Sequence, residues 1–306
     1  MSTEADDVHH RQHGPYGRGT GDHVSLTHLQ PEDRRAVEGL WEGLIGTARL
    51  GVAFSGGVDS SVLLALAVEA LGPDRVLALL GISPSLASDE REAAHRVATH
   101  VGVPVVEVPT FEGDRPDYRR NGPDRCFHCK DELFERISQD VVSRYGLTAV
   151  AYGENADDAR RPDRPGARAA TAHAVLRPLA DAGLDKAAVR RIARALDLPC
   201  ADKPAAPCLA SRIPHHSEVS PEKLAQVEAA EAGLRRLGLR DLRVRHHGDV
   251  ARLEVAVEDL PAFVSDPLRE QAIQVVRAAG FRFLALDLAG IQSGAFTLPL
   301  VGVREG

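Results

Sequence analysis

The stretch Phe54-Ser55-Gly56-Gly57-Val58-Asp59-Ser60-Ser61 follows the short apolar run Leu50–Ala53. It places two glycines, an aspartate and three serines where a buried strand should end. Helical spacing resumes near Val58, so the glycines turn the chain from a strand into a helix. Amides at a helix start have no intrahelical acceptor, and the helix dipole favours an anion beside them. Gly56 and Gly57 let the backbone approach a ligand closely and reach dihedral angles closed to other residues. Ser55, Ser60 and Ser61 add hydroxyls. The stretch reads as a phosphate cradle. It is not a Walker A loop, because the Lys-Ser/Thr ending is missing, and it lacks the third glycine of a dinucleotide fingerprint.

Outward from this turn, strands and helices alternate. Helical spacing covers Pro31–Ala48, Val58–Leu71, Asp89–Val101, Lys130–Tyr145 and Leu184–Leu196. Strand-like runs fall at Leu50–Phe54, Val76–Leu80, Val105–Val108 and Leu147–Tyr152. This alternation predicts an α/β fold with a doubly wound parallel sheet. A Pro- and Ala-rich loop, Leu198–Pro214, follows. Beyond it a helix (Pro221–Leu237), two strands (Leu242–His246, Ala251–Val257), a helix (Pro267–Ala279) and a last strand (Phe281–Leu286) predict a smaller α+β unit. The expected organisation is a polar, disordered extension over residues 1–28, a nucleotide-binding domain over 29–214, and a substrate or oligomerisation domain over 215–306. His9, His10 and His13 belong to the extension and read as solvated rather than metal-binding.

The 306 residues carry a formal net charge of -7 and only four cysteines. An acidic balance argues against a broad nucleic-acid surface. No apolar run reaches the roughly 20 residues that span a bilayer, and no signal-peptide pattern opens the chain. A cytoplasmic location is expected, with cysteines that are free, metal-bound or catalytic rather than a disulfide framework.

The pattern SGGxDS resembles the PP-loop of the ATP pyrophosphatases, which bind ATP and release pyrophosphate while adenylating an acceptor. Further stretches narrow the resemblance. They are RCFHCK with Cys126 and Cys129, YGENADD at Tyr152–Asp158 followed by RPG at residues 164–166, RPLADAGLDKAAVRRIARALDLP at Arg177–Pro199, and DKPAAPCLASRIP with Cys208, Ser211 and Arg212. With RVRHHGDVARLEV (Arg243–Val255) and ALDLAG (Ala285–Gly290), they look like the LarE family. That family sulfurates a pyridinium carboxylate mononucleotide during synthesis of the nickel-pincer cofactor of lactate racemase.

The resemblance implies that a substrate carboxylate is adenylated and converted to a thiocarboxylate, with ATP and Mg²⁺ required. It implies nucleotide binding by Ser55, Gly56, Gly57, Asp59, Ser60 and Ser61, with Gly153, Asn155 and Asp157 at a second strand end. Asp59 would orient the loop or help place the metal. Asn155 and Asp157 can equally be read as an Asx turn. Ser211, Arg212, Glu231, Arg243 and Arg245 would hold the substrate and its phosphate. Arg243 and Arg245, two apart on a strand, share a face. Cys208 would donate sulfur itself, leaving dehydroalanine, or would join Cys126 and Cys129 in holding a [4Fe-4S] cluster. A Cys-x-x-Cys pair alone also fits a zinc half-site, a redox pair or inert thiols. Cys200 matches no motif and reads as structural. A homo-oligomer and a downstream nickel-inserting partner are further implications. Departures from the family fall at His215, His216 and Gln292. A tRNA thiolase of the same superfamily and a non-catalytic ATP-binding module are the competing readings. The first needs a basic surface, and the second has no use for Cys208 or the paired arginines.

Overall fold

The structure, a computed structural model, describes residues 28–161 and 165–291. The tail histidines, Arg164 and Gln292 lie outside the described residues. In chain order the helices and strands are α1 (Pro31–Leu44), β1 (Leu50–Ala53), α2 (Val58–Leu71), β2 (Val76–Ile82), α3 (Ser88–Val101), β3 (Val105–Pro109), α4 (Pro116–Arg119), α5 (Arg125–Arg136), α6 (Val142–Tyr145), β4 (Ala149–Tyr152), α7 (Ala156–Ala159), α8 (Pro165–Ala172), α9 (Pro178–Asp181), α10 (Lys186–Ala195), α11 (Pro221–Arg236), β5 (Leu242–His247), β6 (Val250–Val255), α12 (Leu268–Ala278) and β7 (Phe283–Leu286). A π-helical turn, Ile137–Val141, joins α5 to α6.

Strands β1 to β4 form one parallel sheet in the order β3-β2-β1-β4. Parallel strands need crossover helices, which cover both faces and leave the strands apolar throughout. Helix α2 is the central crossover. It has an apolar surface on nearly every side, and Val62 through Ala67 are fully buried. One core packs α1, α2, α3 and α10 on the sheet, through residues such as Val37, Leu64, Val97 and Ile192. On the other face Phe134, Ile137, Tyr152 and Ala169 make a second core.

The second sheet has the order β5-β6-β7, with β5 antiparallel and β7 parallel to β6. Helices α11 and α12 pack on it through Val227, Leu234, Ala272 and Val276. This core also takes in Tyr118, Leu209 and Ile213, so the segment around Cys208 rests between the two sheets.

The helix expected to begin at Lys130 starts five residues earlier, at Arg125. Asp124 precedes it, and its carbonyl accepts from the Phe127 amide at 2.8 Å. Cys126 and Cys129 therefore sit on a helix rather than in a loop.

Glu69, on α2, has a buried carboxyl oxygen with no hydrogen-bond partner among the described residues. Burial pushes this carboxyl up to about 7. Between its ordinary value of 4.5 and 7 the folded state holds the proton and the unfolded state does not, so stability falls as pH rises through that window. Glu69→Gln is expected to stabilise the chain at pH 8 by about 1–2 kcal/mol, allowing for partial solvent contact, and by much less at pH 5. Thermal melts at the two pH values check this, and equal shifts would contradict it.

Candidate active site

All four parallel strands end at the same edge. β1 runs into Phe54–Ser61, β2 into Ser83–Ser85, β3 into Thr110–Glu112 and β4 into Gly153–Asp157. The sheet order reverses direction at β1, between β2 and β4, and a crevice opens at such a reversal.

The glycine turn is built as its sequence requires. Gly56 has φ +71, and a Cβ there would meet the backbone of Ala94 on α3 at 2.8 Å. Gly57 is the extended cap residue of α2. The amide of Ser61 closes onto the Gly57 carbonyl at 3.0 Å, and those of Val58, Asp59 and Ser60 precede it in the first turn. Hydroxyls brace the loop. Ser60 Oγ accepts from the Ser55 amide at 3.2 Å and donates to the Gly57 carbonyl at 3.1 Å. Ser61 Oγ donates to the same carbonyl at 2.8 Å.

Asp59 is the centre of a polar group drawn from three segments. Lys186 Nζ lies 2.5 Å from its Oδ2, and Asn155 Nδ2 donates to its Oδ1 at 3.2 Å. Asn155 also caps α7, accepting from the Asp158 amide at 2.9 Å, which is the Asx-turn geometry, while its Nδ2 faces the cradle through Asp59. Asp157 accepts from the Lys186 backbone amide at 3.0 Å. Gly153 lets β4 run against the cradle, because a Cβ there would lie 2.6 Å from the Ser60 amide nitrogen.

Lys186 was not singled out from the sequence, although a signal existed. A lysine in the first turn of a helix opposes the helix dipole. Here Asp185 caps α10 and Asp59 answers the misplaced charge. A cavity of about 650 Å³ adjoins Gly56, between α3 and residues 197–203. Lys203 reaches Glu90 across it at 2.7 Å. Cys200 lines this cavity and is buried beside Ser61, with its thiol raised chiefly by that burial.

Cys208 comes to the same edge. The next residue, Leu209, donates its amide to the Ser85 carbonyl at 2.9 Å. Cys208 is exposed, with neighbouring protein atoms packed around its segment. That crowding raises it, and Arg125 pulls the other way. The Cys129 thiol is raised well above its ordinary value, first by burial, then by the charges of Glu112, Cys208 and Cys126. The three thiols are thus electrostatic neighbours, which the sequence could not show. They have the donor chemistry of a cluster site, but among the described residues no three His, Cys, Asp or Glu side chains are arranged to hold a metal ion. Glu112, unremarked in the sequence, is buried here, with Oε1 taken by the Ser83 hydroxyl at 2.5 Å.

The remaining candidates form a third group. Glu231, with no exposed surface, accepts from Arg212 at 2.9 and 3.2 Å, Arg235 at 2.9 Å and the Val244 amide at 3.0 Å. Arg212 also donates to the Pro207 carbonyl at 2.5 Å and to Ser211 Oγ at 3.0 Å. Arg245 forms a two-point pair with buried Glu254 at 2.9 and 2.8 Å and reaches the Ser211 carbonyl at 3.0 Å. Arg243 pairs in register with Glu254 across the strands and donates to the Ala205 carbonyl at 3.4 Å. Burial, then the cations Arg245 and Arg212, lower its affinity for the proton. Arg212 and Arg245 are held rigidly by carboxylates. His215 and His216 pack by the Asn121 carbonyl.

Residues 42–121 match the asparagine synthase family. The chain is 40% identical over 243 residues to an uncharacterized protein of Synechocystis, covering 79% of this chain and 90% of that one. It is 32% identical over 247 residues to the pyridinium-3,5-bisthiocarboxylic acid mononucleotide synthase of Lactiplantibacillus plantarum, covering 80% and 88%. This chain belongs to the LarE family of PP-loop enzymes. A protein of Methanocaldococcus jannaschii, also uncharacterized, is 27% identical over 239 residues.

In this LarE-family chain the cradle suits a triphosphate. Its open first turn supplies amides, and Asp59 and Asp157 supply oxygen donors of the kind Mg²⁺ takes. Among the described residues no helix is long and apolar enough to cross a membrane. Gly153→Ala would drive a methyl group into the backbone at the start of α2, which cannot yield as a side chain can. The expected result is ATP binding weakened at least tenfold with the fold retained, measured by calorimetric titration alongside circular dichroism.

Proposed function

We propose that this LarE-family enzyme adenylates a carboxylate of pyridinium-3,5-biscarboxylic acid mononucleotide, releases pyrophosphate, and converts the activated carboxylate to a thiocarboxylate. The observation that carries this reading is the Leu209–Ser85 hydrogen bond, which sets the Cys208 segment on the sheet edge that also bears the phosphate cradle. An adenylating loop and a thiol on one edge suit acyl activation followed by sulfur delivery.

The chemistry assigns distinct tasks. An oxide is a poor leaving group, so the carboxylate must first be activated. Its oxygen attacks the α-phosphorus of ATP, the bond to the β-phosphate bridge breaks, and pyrophosphate departs. The amides at the start of α2 and the Ser55, Ser60 and Ser61 hydroxyls receive the charge that develops on it. Mg²⁺, held by Asp59 with Asp157 nearby, would supply further neutralisation. Lys186 and Asn155 hold the Asp59 carboxylate in place. A sulfur nucleophile then attacks the acyl carbon and AMP leaves. Arg243, with Arg212 and Arg245 beside it, would meet the nucleotide phosphate.

Sulfur enters at Cys208. Cys126, Cys129 and Cys208 would hold a [4Fe-4S] cluster, whose chemistry is to carry the transferred sulfide. Without a cluster, Cys208 itself would be consumed. Cys208→Ala is expected to retain substrate-dependent pyrophosphate release and to lose thiocarboxylate formation by at least a hundredfold. Normal thiolated product from that variant would refute the sulfur assignment. Iron and acid-labile sulfide measured after anaerobic reconstitution, with Cys126→Ala alongside, separate the two sulfur sources.

A further inference from the structure

We propose that Arg125 and Asn121 are the positioning residues of the sulfur site. They lock the helix carrying Cys126 and Cys129 to the turn carrying Cys208, so that the three thiols form one preset unit. The inference rests on the sulfur-transfer reading for its consequence in activity, and on geometry alone for the joint itself.

Arg125 opens α5, one residue before Cys126, and is buried. Its Nη1 donates to Asn121 Oδ1 at 2.5 Å and to the Ala210 carbonyl at 2.9 Å. Ala210 lies two residues after Cys208. The guanidinium thus spans both thiol-bearing segments directly. Among the described residues no carboxylate forms an ion pair with it, so it is a buried cation satisfied by neutral oxygens. Burying a charge this way is costly, and a neutral side chain could tie the segments together without it. A cation retained here suits a site that handles anionic sulfur.

Asn121 completes the joint. It has no exposed surface and sits at φ 56. Its Nδ2 points at the carbonyls of Ile213 at 3.3 Å, Pro214 at 2.8 Å and Ser217 at 3.0 Å. Its own carbonyl accepts from the His216 amide at 3.1 Å, and Val219 donates to the Arg119 carbonyl at 2.9 Å. An amide with donors and acceptor all committed cannot turn over without breaking several bonds at once. The cradle residues take no part in this joint. Loosening it should therefore impair sulfur delivery and spare adenylation.

The test uses the full chain, reduced and free of iron, treated with dibromobimane, which joins neighbouring thiols; peptide mapping then identifies the joined pair. The parent chain is expected to join Cys208 to Cys126 or Cys129. Arg125→Gln should lower that yield at least fivefold. It should lower thiocarboxylate formation at least tenfold while pyrophosphate release stays within twofold. Arg125→Lys, which keeps the charge but not the planar fork, should recover part of both losses. Should Arg125→Gln fail to fold, Asn121→Gly carries the same expectation, because glycine accepts the positive φ without strain. Unchanged joining in the folded variants, or pyrophosphate release falling in step with thiocarboxylate, would overturn the proposal. Joining that follows the variants while even the parent makes no thiocarboxylate would uphold the joint and sink the sulfur-transfer reading.

Discussion

A parallel sheet covered on both faces must deliver every strand end to one edge, and the candidate site of this chain is built along that edge. The cradle after β1 supplies the amides for an anion. The segment after β4 supplies Asn155 and the close approach of Gly153. The loop after β2 offers the Ser85 carbonyl that holds Leu209, and with it Cys208. No one of these segments makes a site alone. The register of β1 between β2 and β4 sets them side by side.

The second sheet contributes in another way. Its charged residues are largely locked to one another. Glu231 and Glu254 each sit fully buried between guanidinium groups, and removing either carboxylate would strand cations in a dry interior. These pairs make a stiff floor under the Ser211–Arg212 turn, through the Arg245 contact with the Ser211 carbonyl and the Arg212 contact with that of Pro207. The Ser211–Arg212 turn and the Cys208 segment therefore share one rigid support.

The sequence made the α/β alternation, the cradle and the paired strand arginines legible, because each follows from local periodicity or a short motif. Val58–Leu71 was recoverable to the residue, since its glycine turn and Gly72 bracket an unbroken apolar run. The start of α5 was not, because Cys126, Phe127 and Cys129 give no clean helical stripe and Asp124 stands six residues ahead of the expected start. The approach of the Cys126–Cys129 helix to the Cys208 segment was equally hidden. It depends on contacts between residues some 80 positions apart, such as Arg125 with Ala210, and these belong to tertiary packing. Lys186 stood between these cases, in a helix whose first turn disfavours it, with the reason for its presence lying across the fold on Asp59.

Helix α2 has a consequence for folding. Its surface is apolar on nearly every side, with its interior residues buried against the sheet and its flanking helices. Such a segment gains little by forming in isolation and is stabilised by tertiary packing. Its first turn, which is the phosphate cradle, therefore takes shape only when β1, β2 and β4 have assembled around it. Partly folded chains would present no nucleotide site, so ATP binds only the completed domain. Nucleotide in the surroundings then shifts the balance toward the folded state as a whole, by mass action rather than by mending any local contact.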